Sequence, residues 1–219
     1  MTTKVEIKVC GITTMEDAAM AFSYGADALG FIFYEKSQRY VTPEAAFHII
    51  ESLPPAISKV GVFVNHDINV VRDIYHFCRL DLIQLHGDES PDYCLEIPQA
   101  ILIKAVSPKS DSDLALTEGY AVKAFLVDAR DSGLYGGTGK LSNWEIARKL
   151  SRRHPVILSG GLNAENILTA IEKVSPDGVD VNSGVEFSPG SKDPKKVRSI
   201  IDMVHVIEKR RPESIFTRR

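Results

Sequence analysis

Cysteine is scarce and irregularly placed: three residues in 219, Cys10, Cys78 and Cys94. An odd number at wide spacing excludes a disulfide-framework domain and a C-x-x-C zinc or redox pair, so reduced thiols in a cytoplasmic protein are expected. Long apolar runs are missing as well. The apolar stretches reach only about 5 to 8 residues, against the ~20 that cross a bilayer, and residues 1–14 hold no apolar core of a signal peptide. Neither membrane insertion nor export is expected. Neither sign of charge dominates, with 29 acidic and 26 basic side chains and a formal net charge of −3. That balance gives no ground for nucleic acid as the main partner. No low-complexity linker or shift of composition marks a domain boundary.

Short runs rich in Val, Ile, Leu and Phe recur along the whole chain, at 5–10, 28–33, 59–64, 82–86, 102–106, 124–128, 155–159 and 178–182. Most are apolar at consecutive positions, the signature of strands buried on both faces of a parallel sheet. Helical signals fill the gaps, at about 15–24, 44–52, 67–78, 91–97, 112–119, 143–153, 164–174 and 194–209. Thr14 precedes the first, and Thr42-Pro43 opens the second with proline in its first turn. Eight strand–helix units predict an α/β fold, a single-domain (β/α)8 barrel over residues 1–219 with a short basic tail from about residue 209. An open, doubly wound sheet is the competing arrangement.

In such a barrel the loops after the strands build the site. Strand one ends Lys8-Val9-Cys10-Gly11, strand four Gln84-Leu85-His86-Gly87, strand six at Asp128, strand seven Ser159-Gly160-Gly161 and strand eight Asp180-Val181-Asn182-Ser183-Gly184. Small residues after the last two strands let backbone N–H groups approach an anion, so a phosphate site is expected there; a tight turn is the plainer reading of Gly160-Gly161. Cys10 is either a small buried hydrophobe or a thiolate, with Lys8 two positions away. Asp128 closes an otherwise apolar strand and must be paired, solvated or functional. Cys10 and Asp128 lie on different sides of the predicted ring, which suits one base and one acid across a ligand. Arg39 is either a solvated loop charge or a carboxylate clamp, and His86 either a turn histidine or a ligand contact. The stretch from Tyr135 to Lys140, with Gly139, lacks P-loop spacing and reads as a flexible loop over the mouth.

These fragments, taken in order, resemble the phosphoribosylanthranilate isomerases. The likeness runs from Lys8-Val9-Cys10-Gly11-Ile12-Thr13 through Ser37-Gln38-Arg39-Tyr40-Val41, Gln84-Leu85-His86-Gly87-Asp88 and Gly136-Gly137-Thr138-Gly139-Lys140. It continues to Ser159-Gly160-Gly161-Leu162-Asn163 and Asp180-Val181-Asn182-Ser183-Gly184-Val185-Glu186. The resemblance implies a (β/α)8 enzyme that rearranges N-(5′-phosphoribosyl)anthranilate to 1-(2-carboxyphenylamino)-1-deoxyribulose 5-phosphate, with neither metal nor organic cofactor. By the same resemblance Asp128 is the general acid at the ribose ring oxygen and Cys10, as thiolate, the base at C2′. Arg39 holds the anthranilate carboxylate, and the loops at Gly160-Gly161 and Ser183-Gly184 bind phosphate. Lys8, Gln84, His86, Gly139, Asp180 and Asn182 complete the expected substrate-binding set, on one small phosphorylated molecule and in a monomer or homodimer.

The chain departs from the family pattern in places. Asn182 stands where a serine is expected, and Ser142-Asn143-Trp144 where Phe-Asp-Trp is expected. The basic C-terminal residues extend past the pattern and are expected to be solvated and mobile. The related histidine-pathway isomerisation uses two aspartates at opposed strand ends, whereas strand one here ends in Cys10. A barrel that binds a phosphorylated ligand without catalysis would not need both Cys10 and Asp128.

Overall fold

A computed structural model describes residues 4–128, 144–208, 211 and 213–216. Eight parallel strands, β1 Glu6–Cys10, β2 Ala28–Ile32, β3 Ser58–Phe63, β4 Leu82–Leu85, β5 Leu102–Val106, β6 Ala124–Val127, β7 Val156–Leu158 and β8 Gly178–Val181, pair in chain order. The ring closes where Lys8 of β1 stands opposite Asp180 of β8. Closure settles the barrel over the open sheet. Eight helices follow the strands: α1 Met15–Ser23, α2 Pro43–Glu51, α3 Ile68–Phe77, α4 Pro91–Leu95, α5 Asp111–Thr117, α6 Trp144–Ser151, α7 Ile167–Val174 and α8 Pro194–Val204.

Local chemistry explains the helix starts. Thr14, Thr42, Asp67, Ser90, Ser110 and Asp193 each accept a hydrogen bond from a backbone N–H of the first turn. Pro43, Pro91 and Pro194 occupy positions where no N–H is needed. The α7 helix starts at Ile167, later than the expected 164. Asn163 and Asn166 exchange side-chain bonds with the loop backbone, which holds that stretch in a turn. Similarly α8 stops at Val204 and not near 209, because Val5 of the first strand's approach takes the Ile207 carbonyl.

Side chains of β1 alternate. Val5, Ile7 and Val9 face the helices in the large outer core, while Glu6, Lys8 and Cys10 take the opposite, inward face. The lower interior is filled by Ala28, Val60, Leu82, Ile103, Ala124 and Leu126. Joined to them are Ile215 and Phe216, each 3% exposed. Of the basic residues expected to be solvated, Arg211 alone is among the described residues, and it is half-buried. Glu6 accepts from Ser214 Oγ and from the N–H groups of Ile215 (2.9 Å) and Phe216 (3.4 Å), Ser58 Oγ donates to the Phe216 carbonyl, and Arg211 pairs with Asp177 at 3.0 Å. The segment plugs the end of the barrel opposite the strand C-termini.

One element was not anticipated. After β8 a helical turn, Ser183–Val185, leads into an antiparallel hairpin, β9 Glu186–Ser188 and β10 Ser191–Lys192.

Candidate active site

The C-terminal ends of the strands surround a pocket that opens to solvent. Cys10, Arg39, Gln84, His86, Asp128, Gly160, Gly161, Asp180, Asn182, Ser183 and Gly184 all line it, so the residues expected at the strand ends converge on one space. Lys8 lies immediately below, fully buried. Gly139 falls within 129–143, outside the described residues.

Each group is placed by the strand that carries it. Lys8 Nζ donates to Asp180 Oδ1 at 2.8 Å, across the seam that closes the barrel. Cys10 is opposite Gly30 of β2, where a Cβ would come within 2.6 Å of the Cys10 sulfur and 3.0 Å of Lys8 Nζ. Only glycine leaves room there for both side chains. Burial pushes the Cys10 thiol above its ordinary value, and the nearby Lys8 ammonium only partly offsets it. For Lys8 the balance is reversed: burial lowers the ammonium, but the Asp180 carboxylate at 2.8 Å holds it above its ordinary value. The unliganded site thus holds Cys10 as a thiol beside a permanent cation. A raised thiol value means less thiolate at any given pH. Iodoacetamide labelling of Cys10, followed by mass spectrometry, is expected to be slow at neutral pH and to climb with pH beyond the ordinary thiol range. Fast labelling with a plateau at neutral pH would contradict this.

Across the pocket, Asp128 is 8% exposed and receives His86 Nε2 at 3.2 Å. The Gln84 amide nitrogen lies 2.8 Å from His86 Nδ1. Donation by that amide leaves the ring proton on Nε2, directed to the carboxylate. Gln84 Oε1 is buried and has no hydrogen-bond partner among the described residues. Ser107 Oγ donates to the Asp128 backbone carbonyl and fixes the strand end.

The loops after β7 and β8 are built on small residues. Gly160 and Gly161 both take positive φ, 93° and 69°, a conformation other residues enter only with strain. The turn Ser183–Val185 follows β8, and the leading N–H groups of a helical turn have no intrahelical acceptor.

Arg39 is held differently from a free clamp. Its Nε lies 2.9 and 3.1 Å from the two Glu186 oxygens and its NH2 2.7 Å from Oε2, a fork-on-fork pair. Lys192 completes the cluster, 2.8 Å from Glu186 Oε1 and 3.0 Å from Asn182 Oδ1. The strand-end reading passed over Glu186 and Lys192 as functional residues. A signal was present, since Pro189-Gly190 between them is a turn dipeptide that sets Glu186 opposite Lys192 in a hairpin.

A family model described as N-(5′phosphoribosyl)anthranilate (PRA) isomerase matches residues 7–203. The chain belongs to that family. A phosphoribosylanthranilate isomerase of Syntrophus aciditrophicus is 55% identical over 199 residues, 91% of this chain and 86% of that protein. The crystal structure of the isomerase of Thermotoga maritima has a TM-score of 0.84 at 40% identity, covering 93% of this chain and all of that one. Another isomerase structure, bound to reduced 1-(o-carboxyphenylamino)-1-deoxyribulose 5-phosphate, has a TM-score of 0.79 at 39% identity over 90% of this chain and 97% of that one. A phosphoribosylanthranilate isomerase is an enzyme of tryptophan biosynthesis, and the resemblance read from the strand-end residues is borne out. Among the described residues no helix is long and apolar enough to cross a membrane, and no group of His, Cys, Asp and Glu could hold a metal ion.

Proposed function

We propose that this isomerase divides its two proton transfers between Asp128 and Cys10. The observation carrying the reading is that one pocket is lined by both, one at the end of β1 and one just past β6, with Arg39 and the glycine loops on its rim. The substrate, N-(5′-phosphoribosyl)anthranilate, offers a phosphate to the Gly160-Gly161 and Ser183-Gly184 loops and a carboxylate to Arg39. Asp128 gives a proton to the ribose ring oxygen as the C1′–O bond breaks, leaving an iminium at C1′. Cys10 then gives up its thiol proton to solvent and, as thiolate, removes the C2′ proton; the C–H electron pair forms the C1′–C2′ double bond while the iminium nitrogen regains its lone pair. The enolamine tautomerises to 1-(2-carboxyphenylamino)-1-deoxyribulose 5-phosphate.

The raised Cys10 thiol fits this order of events. A neighbouring cation favours the ionised form of an acid, and the iminium places one beside the sulfur only after ring opening. Lys8 supplies a second from below. All groups named come from one chain, so the scheme serves a monomer and a homodimer alike. Three buried, unpaired cysteines suit a reducing cytoplasm.

The test is direct. Freshly prepared phosphoribosylanthranilate should lose its fluorescence within minutes when the protein is added at catalytic concentration, and Cys10→Ser should leave the signal close to the spontaneous decay. No acceleration by the unsubstituted protein would overturn the reading.

A further inference from the structure

We propose that Lys192 is a specificity-determining residue, which keeps the Arg39 end of the pocket one positive charge in excess and so selects substrates whose aromatic ring bears a carboxylate. This rests on the functional reading above, in which Arg39 meets that carboxylate. Of the three charged residues in the cluster only Arg39 lines the pocket. One edge of its guanidinium is already committed to Glu186, leaving NH1 to meet a ligand. An Arg–Glu pair alone is electrically neutral and gives an anionic ligand no net attraction. Lys192 restores it. Its side chain is 0% exposed and Glu186 4%, against 12% for Arg39, so the cation is buried where solvent screens it little.

Glu186 does not need a second cation to be satisfied. It accepts the Arg39 fork and the Gly190 N–H at 3.2 Å in addition to Lys192. Burial pulls the Lys192 ammonium below its ordinary value, and the Glu186 carboxylate 2.8 Å away opposes that pull. The chain is built to hold it there. The β9–β10 hairpin is fixed by Thr13 Oγ1 donating to the Gly190 carbonyl at 2.6 Å and by the Lys192 N–H donating to Asp17 at 3.1 Å. Gly11, at φ 72°, has no Cβ to strike Asn182 Oδ1 (2.7 Å) and Arg39 Cδ (2.8 Å). Asn182, one of the departures from the family pattern, is the second acceptor on the Lys192 ammonium after Glu186, at 3.0 Å.

The test compares two stable ligands by titration calorimetry: reduced 1-(o-carboxyphenylamino)-1-deoxyribulose 5-phosphate and its anilino counterpart without the ring carboxylate. The unsubstituted protein should prefer the carboxylated ligand. Lys192→Met should cut that preference by about tenfold or more, the scale of losing one buried charge partner, while affinity for the anilino ligand holds. Adding Glu186→Gln to Lys192→Met removes the carboxylate that neutralises Arg39, leaves one positive charge in excess again and should restore the preference. Glu186→Gln alone leaves two cations and should raise the preference above the parent's, which keeps the test available should Lys192→Met not fold. A purely structural Lys192 would weaken both ligands equally. That result, an unchanged preference, or a lowered preference in Glu186→Gln would overturn the inference. Failure of the unsubstituted protein to turn over phosphoribosylanthranilate would instead strike the functional reading.

Discussion

Asp128→Asn and Cys10→Ser are each expected to lower turnover by about 10² to 10⁴-fold or more, the scale of removing a general acid or base. Since each tenfold is about 1.36 kcal/mol of barrier, the loss corresponds to roughly 3 to 5 kcal/mol per residue. Both substitutions are nearly isosteric, which separates chemistry from packing. Asparagine retains an oxygen for the His86 Nε2–H, and the Ser107 bond is to the backbone and persists. Serine fits the slot that Gly30 leaves for the Cys10 side chain, but its hydroxyl is far too weak an acid to supply a base. Product affinity should stay within about tenfold of the parent, ~1.4 kcal/mol, because neither phosphate nor carboxylate contacts change. Steady-state kinetics beside calorimetric binding of the reduced product will separate the two quantities. Near-parent turnover in either variant removes that residue from its role.

The second large effect is on stability and lies at the opposite end of the barrel. Phe216→Ala empties a buried aromatic site beneath Ala28, Leu82 and Ile103 and is expected to cost about 3 to 5 kcal/mol. Removing everything after residue 208 should cost more, since it also strips three donors from the buried Glu6 carboxylate. For a chain of this size each kcal/mol moves Tm by roughly 2 to 4 °C, so Phe216→Ala should melt about 6 to 20 °C lower. Turnover at low temperature should hardly change, because the pocket shares no residue with the plug. A Tm within 2 °C of the parent in the truncated chain, by calorimetry, would mean that the plug contributes little.

The plug and the hairpin mark where the amino-acid order alone runs out. Strands buried on both faces announce themselves as consecutive apolar residues, and threonine, serine, aspartate and proline announce helix starts, because both signals are local. The strand ends were legible for the same reason: a polar residue closing an apolar run must sit at a rim, and Cys10, Gln84, Asp128 and Asp180 do. What Ile215-Phe216 pack against is not local. Two apolar residues in a basic tail look solvated until the barrel closes and presents Glu6, more than 200 positions earlier, as their acceptor. Arg39 was equally open. Its pairing with Glu186 spans 147 positions and depends on a hairpin that interrupts the strand–helix repeat. The alternation of Glu6, Lys8 and Cys10 with Val5, Ile7 and Val9 is just as local, and with the barrel closed it puts polar residues along the interior of β1 from floor to mouth.

The division of labour between acid and base is tested most directly by a deuterium isotope effect at C2′ of the substrate, measured in single turnovers of the parent, Cys10→Ser and Asp128→Asn. Breaking the C2′–H bond is the step assigned to Cys10, so Cys10→Ser should make it rate-limiting and raise the isotope effect well above the parent's. Ring opening is the step assigned to Asp128, so Asp128→Asn should bring the effect down to unity. An isotope effect unchanged by Cys10→Ser, or raised by Asp128→Asn, would contradict the assignment.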